Sequence, residues 1–211
     1  MIPGPILILQ CPECKKLIKR RTLASGNTFG AKHYSDDKVE APHLPALPVL
    51  SKCTHCDTIF WLEDIEEIGS YSYGETKDEE WEAAEYAKFL DIDDLFRALT
   101  LDDVVAEKND EMFIRKSIWW AYNDRVRKGE KLHGDAEDES KWRDNIHRLM
   151  ALFDREVDYE KIFIAELNRN LGNFEECVRI IDSITSTDLG WVKQAIKEEC
   201  QNRNTLVVQL R

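Results

Sequence analysis

Two short stretches, Cys11-Pro12-Glu13-Cys14 and Cys53-Thr54-His55-Cys56, decide how this chain is read. Each is a Cys-x-x-Cys turn that can aim two sulfurs at one point, and 38 residues lie between them. Two such turns supply four soft thiolates, the donor set of a tetrahedral zinc site. With cysteine in all four positions, no place is left for water or substrate. The expected metal is therefore structural: one Zn2+ per chain on Cys11, Cys14, Cys53 and Cys56. Pairs of redox dithiols and two disulfides are the competing readings. The first needs a βαβ pattern that the sequence lacks, and the second is rare in a reducing compartment. His55 lies inside the second turn and is read as a neighbour of the metal, since four sulfurs already complete the set.

Outward from the cysteines the residues read as short strands. Ile6 to Leu9 leads into the first turn and Leu17 to Leu23 leaves it, with apolar and basic residues intermixed. Ser25-Gly26-Asn27 signals a turn, and Thr28 to Tyr34 leads to a hairpin-like Ser35-Asp36-Asp37-Lys38 that returns through Val39. Ala41 to Pro48, with three prolines, is fit for neither a helix nor a central strand and should wrap the module as an extended segment. Thr58 to Leu62 reads as a closing strand. With the four cysteines set between such strands, residues 5 to 63 resemble a zinc ribbon, a fold small enough to need metal in place of part of a core.

Composition divides the chain in the same place. All six prolines fall within the first 48 residues. Residues 1 to 60 carry a net charge of +3 and residues 61 to 211 a net of −15, which together give the overall −12. The excess of acid argues against a protein that coats DNA. No apolar run is long enough to span a bilayer, and Ile2 to Leu9 holds two prolines without a basic leader, so a cytoplasmic protein is expected.

Beyond Leu62 there is no proline, and apolar residues recur at spacings of three and four. The domain reading is a zinc ribbon over 1–65, a linker over 66–77 centred on Gly69 to Gly74, a helical domain over 78–204, and a strand-like tail over 205–211. Trp81, Ala84, Tyr86, Phe89 and Leu90 open an amphipathic helix, and Leu95, Ala98 and Leu99 mark a second. Glu111 to Arg127 bears apolar residues on several faces, as a central helix does. Its run Trp119 to Arg125 is read as core, with Asp124 and Arg125 as a local ion pair. Trp142, Ile146, Leu149, Met150 and Phe153 form a single-faced stripe that needs a partner helix. Asp158 to Asn170 supplies one, followed by a Leu171-Gly172-Asn173 turn and a returning helix lined by Phe174, Cys177, Val178, Ile181 and Ile184. A last helix runs from Trp191 to about Gln201. Cys177 and Cys200 sit at apolar positions and are read as core.

Ala165, Leu171-Gly172, Phe174 and Cys177, the last where the pattern usually has alanine, make residues 158 to 187 resemble a tetratricopeptide repeat. The usual tryptophan of the first helix and the terminal proline are missing. The resemblance implies stacked helical hairpins whose concave face takes a peptide or protein segment. Glu111 to Arg127 with Trp142 to Phe153 is the expected preceding pair.

The fold class is thus α+β: a small β-rich zinc ribbon followed by an all-α domain of helical hairpins. No phosphate loop, nucleophile elbow or zinc-protease motif is present, so no enzyme is expected. The leading function is a non-catalytic zinc-binding scaffold for a protein or peptide partner on the helical domain. The alternative is nucleic-acid association through Lys15, Lys16, Lys19, Arg20 and Arg21, with Phe29, Tyr34 and Trp61 as stacking aromatics. Against it stands the possibility that this basic run pairs with acidic residues of its own chain.

Overall fold

The structure is a computed structural model that describes residues 1–72, 74–75 and 78–210. Ten strands come in the order β1 (Ile2–Pro3), β2 (Ile6–Gln10), β3 (Leu17–Arg20), β4 (Leu23–Ser25), β5 (Lys32–His33), β6 (Val39–Glu40), β7 (Leu50–Lys52), β8 (Ile59–Trp61), β9 (Glu67–Tyr71) and β10 (Glu85–Tyr86). Seven helices interleave with and follow them: α1 (Glu79–Ala83), α2 (Ile92–Ala98), α3 (Lys108–Arg127), α4 (Ala136–Leu152), α5 (Asp158–Asn170), α6 (Phe174–Ser183) and α7 (Gly190–Gln201). The mixed α+β content expected from the sequence is present. The chain divides into two units, one made of Met1–Ala31 with Glu40–Val105 and the other of Lys32–Val39 with Ala106–Arg211.

In the first unit the two Cys-x-x-Cys turns each close an antiparallel hairpin. β2 pairs with β3, with Leu9 opposite Ile18, and β7 pairs with β8, with Ser51 opposite Phe60. β2 lies at the centre of a four-stranded sheet of order β10-β3-β2-β9. Leu9, Ile18, Phe60 and Leu62 pack with Cys11 and Cys53 into one buried cluster.

Two expectations about this unit are corrected. The stretch expected as a linker over 66–77 holds strand β9, antiparallel to β2, while Tyr73, Thr76 and Lys77 lie outside the described residues. Within that strand Gly69 leaves room for Trp81: a Cβ there would sit 2.7 Å from the Trp81 ring. The helix expected over Trp81 to Leu90 is cut to the five residues of α1, which bury nothing, and the chain then turns into β10, parallel to β3. So short a helix is marginal alone, whereas the open edge of β3 satisfies backbone groups of residues 85–87; the Ala87 amide bonds the Lys19 carbonyl at 2.8 Å. Trp81 meanwhile stacks on Tyr71.

The charge expectation changes with the boundary. Residues 61–105 carry 3 Lys+Arg against 15 Asp+Glu, and they fold with the cysteine hairpins; residues 106–211 carry 18 against 21 and are nearly balanced. The acid excess therefore belongs to the first unit, not to the helices.

The second unit is built from consecutive antiparallel helices: α3 against α4, α4 against α5, α5 against α6, and α6 against α7. Most of the expected stripe residues are buried, with Trp142, Ile146, Leu149 and Phe153 on one side and Ile162, Phe163, Ala165, Leu167, Cys177, Ile181 and Ile184 on the other, while Met150, Phe174 and Val178 are half-buried and Tyr159 is exposed. Trp119 and Tyr122 of the aromatic run are fully buried. Gly172, at φ +83°, ends α5. The Gly172 amide bonds the Arg169 carbonyl and the Asn173 amide the Asn168 carbonyl, each at 2.9 Å, so the left-handed residue satisfies carbonyls that the helix end would leave bare.

Three further details depart from the sequence reading. Asp124 pairs with Lys38 and Arg127, not with Arg125, whose partner is Asp138 at 2.5 Å. The turn Ser35 to Lys38, read as part of the zinc-ribbon module, belongs to the helical unit. The strand-like tail, whose Arg211 lies outside the described residues, forms a single bridge instead of a strand. Gln209 bridges Tyr34, the Leu210 amide bonds the His33 carbonyl at 2.7 Å, and Arg169 holds the carbonyls of Asn204 and Leu206.

A candidate metal centre of four cysteines

Each Cys-x-x-Cys turn folds the same way for the same local reason. The Cys11 amide bonds the Lys16 carbonyl and the Lys15 amide returns to the Cys11 carbonyl; in the second turn Cys53 bonds Thr58 and Asp57 returns to Cys53. The residue after the second cysteine, Lys15 at φ 60° or Asp57 at φ 58°, takes the left-handed conformation that reverses the chain. Within the turns, the amides of Glu13 and Cys14 are directed at the Cys11 sulfur and those of His55 and Cys56 at the Cys53 sulfur, the His55 contact being 3.4 Å.

The two turns face each other. All four Sγ atoms lie within 4.8 Å of one another, with Cys11 to Cys56 at 3.7 Å and Cys14 to Cys53 at 3.5 Å. A tetrahedral site with Zn–S bonds of 2.3 Å has sulfurs about 3.8 Å apart along each edge, so the two closest approaches match that edge. All six cysteines of the chain are free thiols. Cys11 and Cys53 are fully buried, while Cys14 and Cys56 are half-buried.

Charge at this centre is costly without a cation. Burial pushes the Cys53 thiol up to about 12 and raises that of Cys11 as well, against the opposing pull of the turn amides. Cys56 goes the other way, down to about 6, because the Thr58 hydroxyl and amide bond its sulfur. Four thiolates crowded into one partly buried pocket repel one another, and a bound divalent cation removes both penalties. The donor set, its spacing and its amide cradle fit a metal ion. Cys177 and Cys200, as expected, are buried in the helical unit and take no part.

The other residues singled out by sequence are not brought together. Lys19 is only 8% exposed, its ammonium bonded to the Glu82 carbonyl at 2.9 Å and set over the Tyr86 ring. Arg21 stacks on the same ring at 4.3 Å, and Arg20 donates to the Leu62 carbonyl. Lys15 bonds the Pro12 carbonyl within its own turn, and it remains exposed along with Lys16 and Arg21. The chain's own acidic segment, residues 79–88, thus covers Lys19 and sets the Tyr86 ring against Arg21. Of the three aromatics, Phe29 is 82% exposed, Trp61 donates to the Val104 carbonyl, and Tyr34 lies under the Arg127 guanidinium.

Sequence reasoning missed Thr58, whose only signal is a hydroxyl two residues past the second turn. It also missed the residues that enclose the Ser35–Lys38 turn, for which no local signal exists.

No helix is long and apolar enough to cross a membrane among the described residues. No protein-family model, curated protein or solved structure matches this chain.

Proposed function

We propose that this is a non-catalytic protein with one structural zinc ion on Cys11, Cys14, Cys53 and Cys56, and a tetratricopeptide-like helical unit that serves as a scaffold for a protein segment. The observation that carries the reading is the convergence of four sulfurs from two hairpin turns to within 4.8 Å. When bound, the metal supplies a dication that neutralises thiolates and joins the β2–β3 and β7–β8 hairpins. The chain's own groups do the rest: the turn amides orient the sulfurs, and Leu9, Ile18, Phe60 and Leu62 keep water from the buried side. All-sulfur ligation favours a reducing compartment, consistent with the cytoplasm.

The scaffold half of the proposal leans on the antiparallel succession α3 to α7 and on the small buried Ala165 and Cys177, which let α5 and α6 approach closely. The nucleic-acid alternative has less behind it, because Lys19 is buried and Arg20 and Arg21 are engaged within the chain. Metal analysis of the purified protein tests the first half: one zinc per chain is expected, and metal-free protein with intact hairpins refutes it. Binding to single-stranded RNA or DNA at low salt, lost steeply as salt rises, would promote the alternative.

A further inference from the structure

A dense set of polar contacts lies away from the cysteines, around the turn Ser35-Asp36-Asp37-Lys38. The turn lies far from the helices in sequence, yet belongs to the helical unit. Each of its four side chains is met by a side chain of that unit. Asp36 is fully buried; its carboxylate accepts from Asn123 at 2.7 Å and from the Arg127 guanidinium, and its carbonyl accepts from the Trp120 indole at 2.9 Å. Asp37 accepts from the Tyr159 hydroxyl at 3.0 Å and from Lys116 at 3.2 Å. Lys38 pairs with Asp124 at 2.6 Å, and the Ser35 hydroxyl accepts from Arg169 at 3.3 Å.

These partners lie on α3 and α5, alternate members of the helical succession, so the turn rests across two non-consecutive helices as a docked segment would. Arg127 is buried, and its Nε has no hydrogen-bond partner in the structure. Asp124 of the same helix meets one side of the Arg127 guanidinium at 2.7 Å, and the acidic turn arriving from outside the helices meets its other side and the buried Asn123 amide. Beside the turn an open cleft lined by His33, Asp37, Tyr159, Ile162 and Trp191 leaves one flank of the site approachable.

We propose that Lys116, Trp120, Asn123, Arg127 and Tyr159 form a receptor for an acidic turn of the Ser-Asp-Asp type, occupied here by the chain's own residues 35–38. A partner protein carrying such a turn competes for the same groups. This rests on the reading of the helical unit as a segment-binding scaffold and names the chemistry of its partner. Specificity comes from the buried carboxylate of the first aspartate: an uncharged group there removes one of the two carboxylates that Arg127 meets, the other being Asp124, and a longer acid does not fit between Asn123 and the Trp120 indole without moving the backbone off that indole.

The test uses the full-length, zinc-loaded chain in two variants. One replaces residues 35–38 by Gly-Ser-Gly-Ser. The other is Asp36→Asn, which keeps the shape of the turn and removes its charge. Circular dichroism establishes that each is folded, and calorimetry measures binding of a synthetic peptide with the sequence of residues 32–39. The expected result is saturable one-to-one binding by a folded variant and none by the native chain, with at least a tenfold loss when the peptide carries asparagine in place of its first aspartate. If the replacement variant does not fold, Asp36→Asn decides. No binding by a folded variant overturns the proposal, and so does equal binding of the aspartate and asparagine peptides. Neither outcome touches the zinc content, and the broader scaffold reading is tested separately by whether a partner retained by the native chain is lost on Trp191→Ala.

Discussion

Removing the metal should dissolve the first unit and leave the second standing. The cluster around the sulfurs contains four large apolar side chains, Leu9, Ile18, Phe60 and Leu62. At about 1.5–3 kcal/mol for each fully buried side chain, these contribute roughly 6–12 kcal/mol. Structural zinc in a four-ligand site contributes on the order of 10–16 kcal/mol, inseparable from folding. Losing the ion therefore takes away about as much as this cluster supplies, and adds the repulsion of four sulfurs held within 4.8 Å. The perturbation is a zinc chelator applied to the native chain, or Cys14→Ser at the half-buried position. The assay is hydrogen exchange followed peptide by peptide. Amides of β2, β3, β7 and β8 should approach the exchange rate of an unfolded chain, while those of α5 and α6 keep their protection. Retained protection in the β2–β3 hairpin after verified loss of zinc would refute the reasoning, as would the simultaneous collapse of α5 and α6.

Other consequences are as specific. Glu166 and Arg169 form an ion pair with both side chains fully buried, so Glu166→Gln should cost about 3–5 kcal/mol in denaturant unfolding of the helical unit and loosen the tail that Arg169 holds. Cys177→Ser should destabilise the same unit by about 1–3 kcal/mol through a buried hydroxyl, with zinc still at one per chain; a drop in zinc would mean that the core cysteines had been misread. Asp138 is raised by burial but brought down overall to about 2 by the Tyr122 hydroxyl, the Gly134 amide and Arg125. Its folded value lies below its ordinary 3.8, so its stabilisation is present above about pH 4 and lost as the pH falls towards 2. Acid titration by circular dichroism should show a transition in that window that is reduced in Asp138→Asn. Gly172→Ala, which forces a side chain into φ +83°, should cost about 1 kcal/mol in thermal unfolding.

Much of this was legible because it depends on neighbours in sequence. The repeated Cys-x-x-Cys spacing dictates two turns with converging sulfurs, and the structure brings all four together. The stripe Trp142 to Phe153 and the turn at Gly172 follow from a 3.6-residue period and from one residue without a Cβ, and both stand as read. The misreadings share a cause. Trp81 to Leu90 has helical spacing, but the free edge of β3 and the space that Gly69 leaves for Trp81 offered those residues better partners than a short helix could. Lys15 to Arg21 is a basic run in sequence, but a β-strand sends adjacent side chains to opposite faces, so Lys19 went under the acidic segment and Arg20 to the Leu62 carbonyl.

By itself, the amino-acid sequence determined the four converging cysteines, the helical hairpins and the mixed class of the fold, since cysteine spacing, glycine at a reversal and apolar period act over a few residues. Only the tertiary structure decided where the units divide, which aspartate meets which arginine, and that residues 35–38 and the tail belong with the helices. Those outcomes turn on buried polar groups finding counterparts 80 to 170 residues away, as Asp36 finds Asn123 and Ser35 finds Val208. A charge or amide far from water must be paired, yet nothing local to either partner says with which.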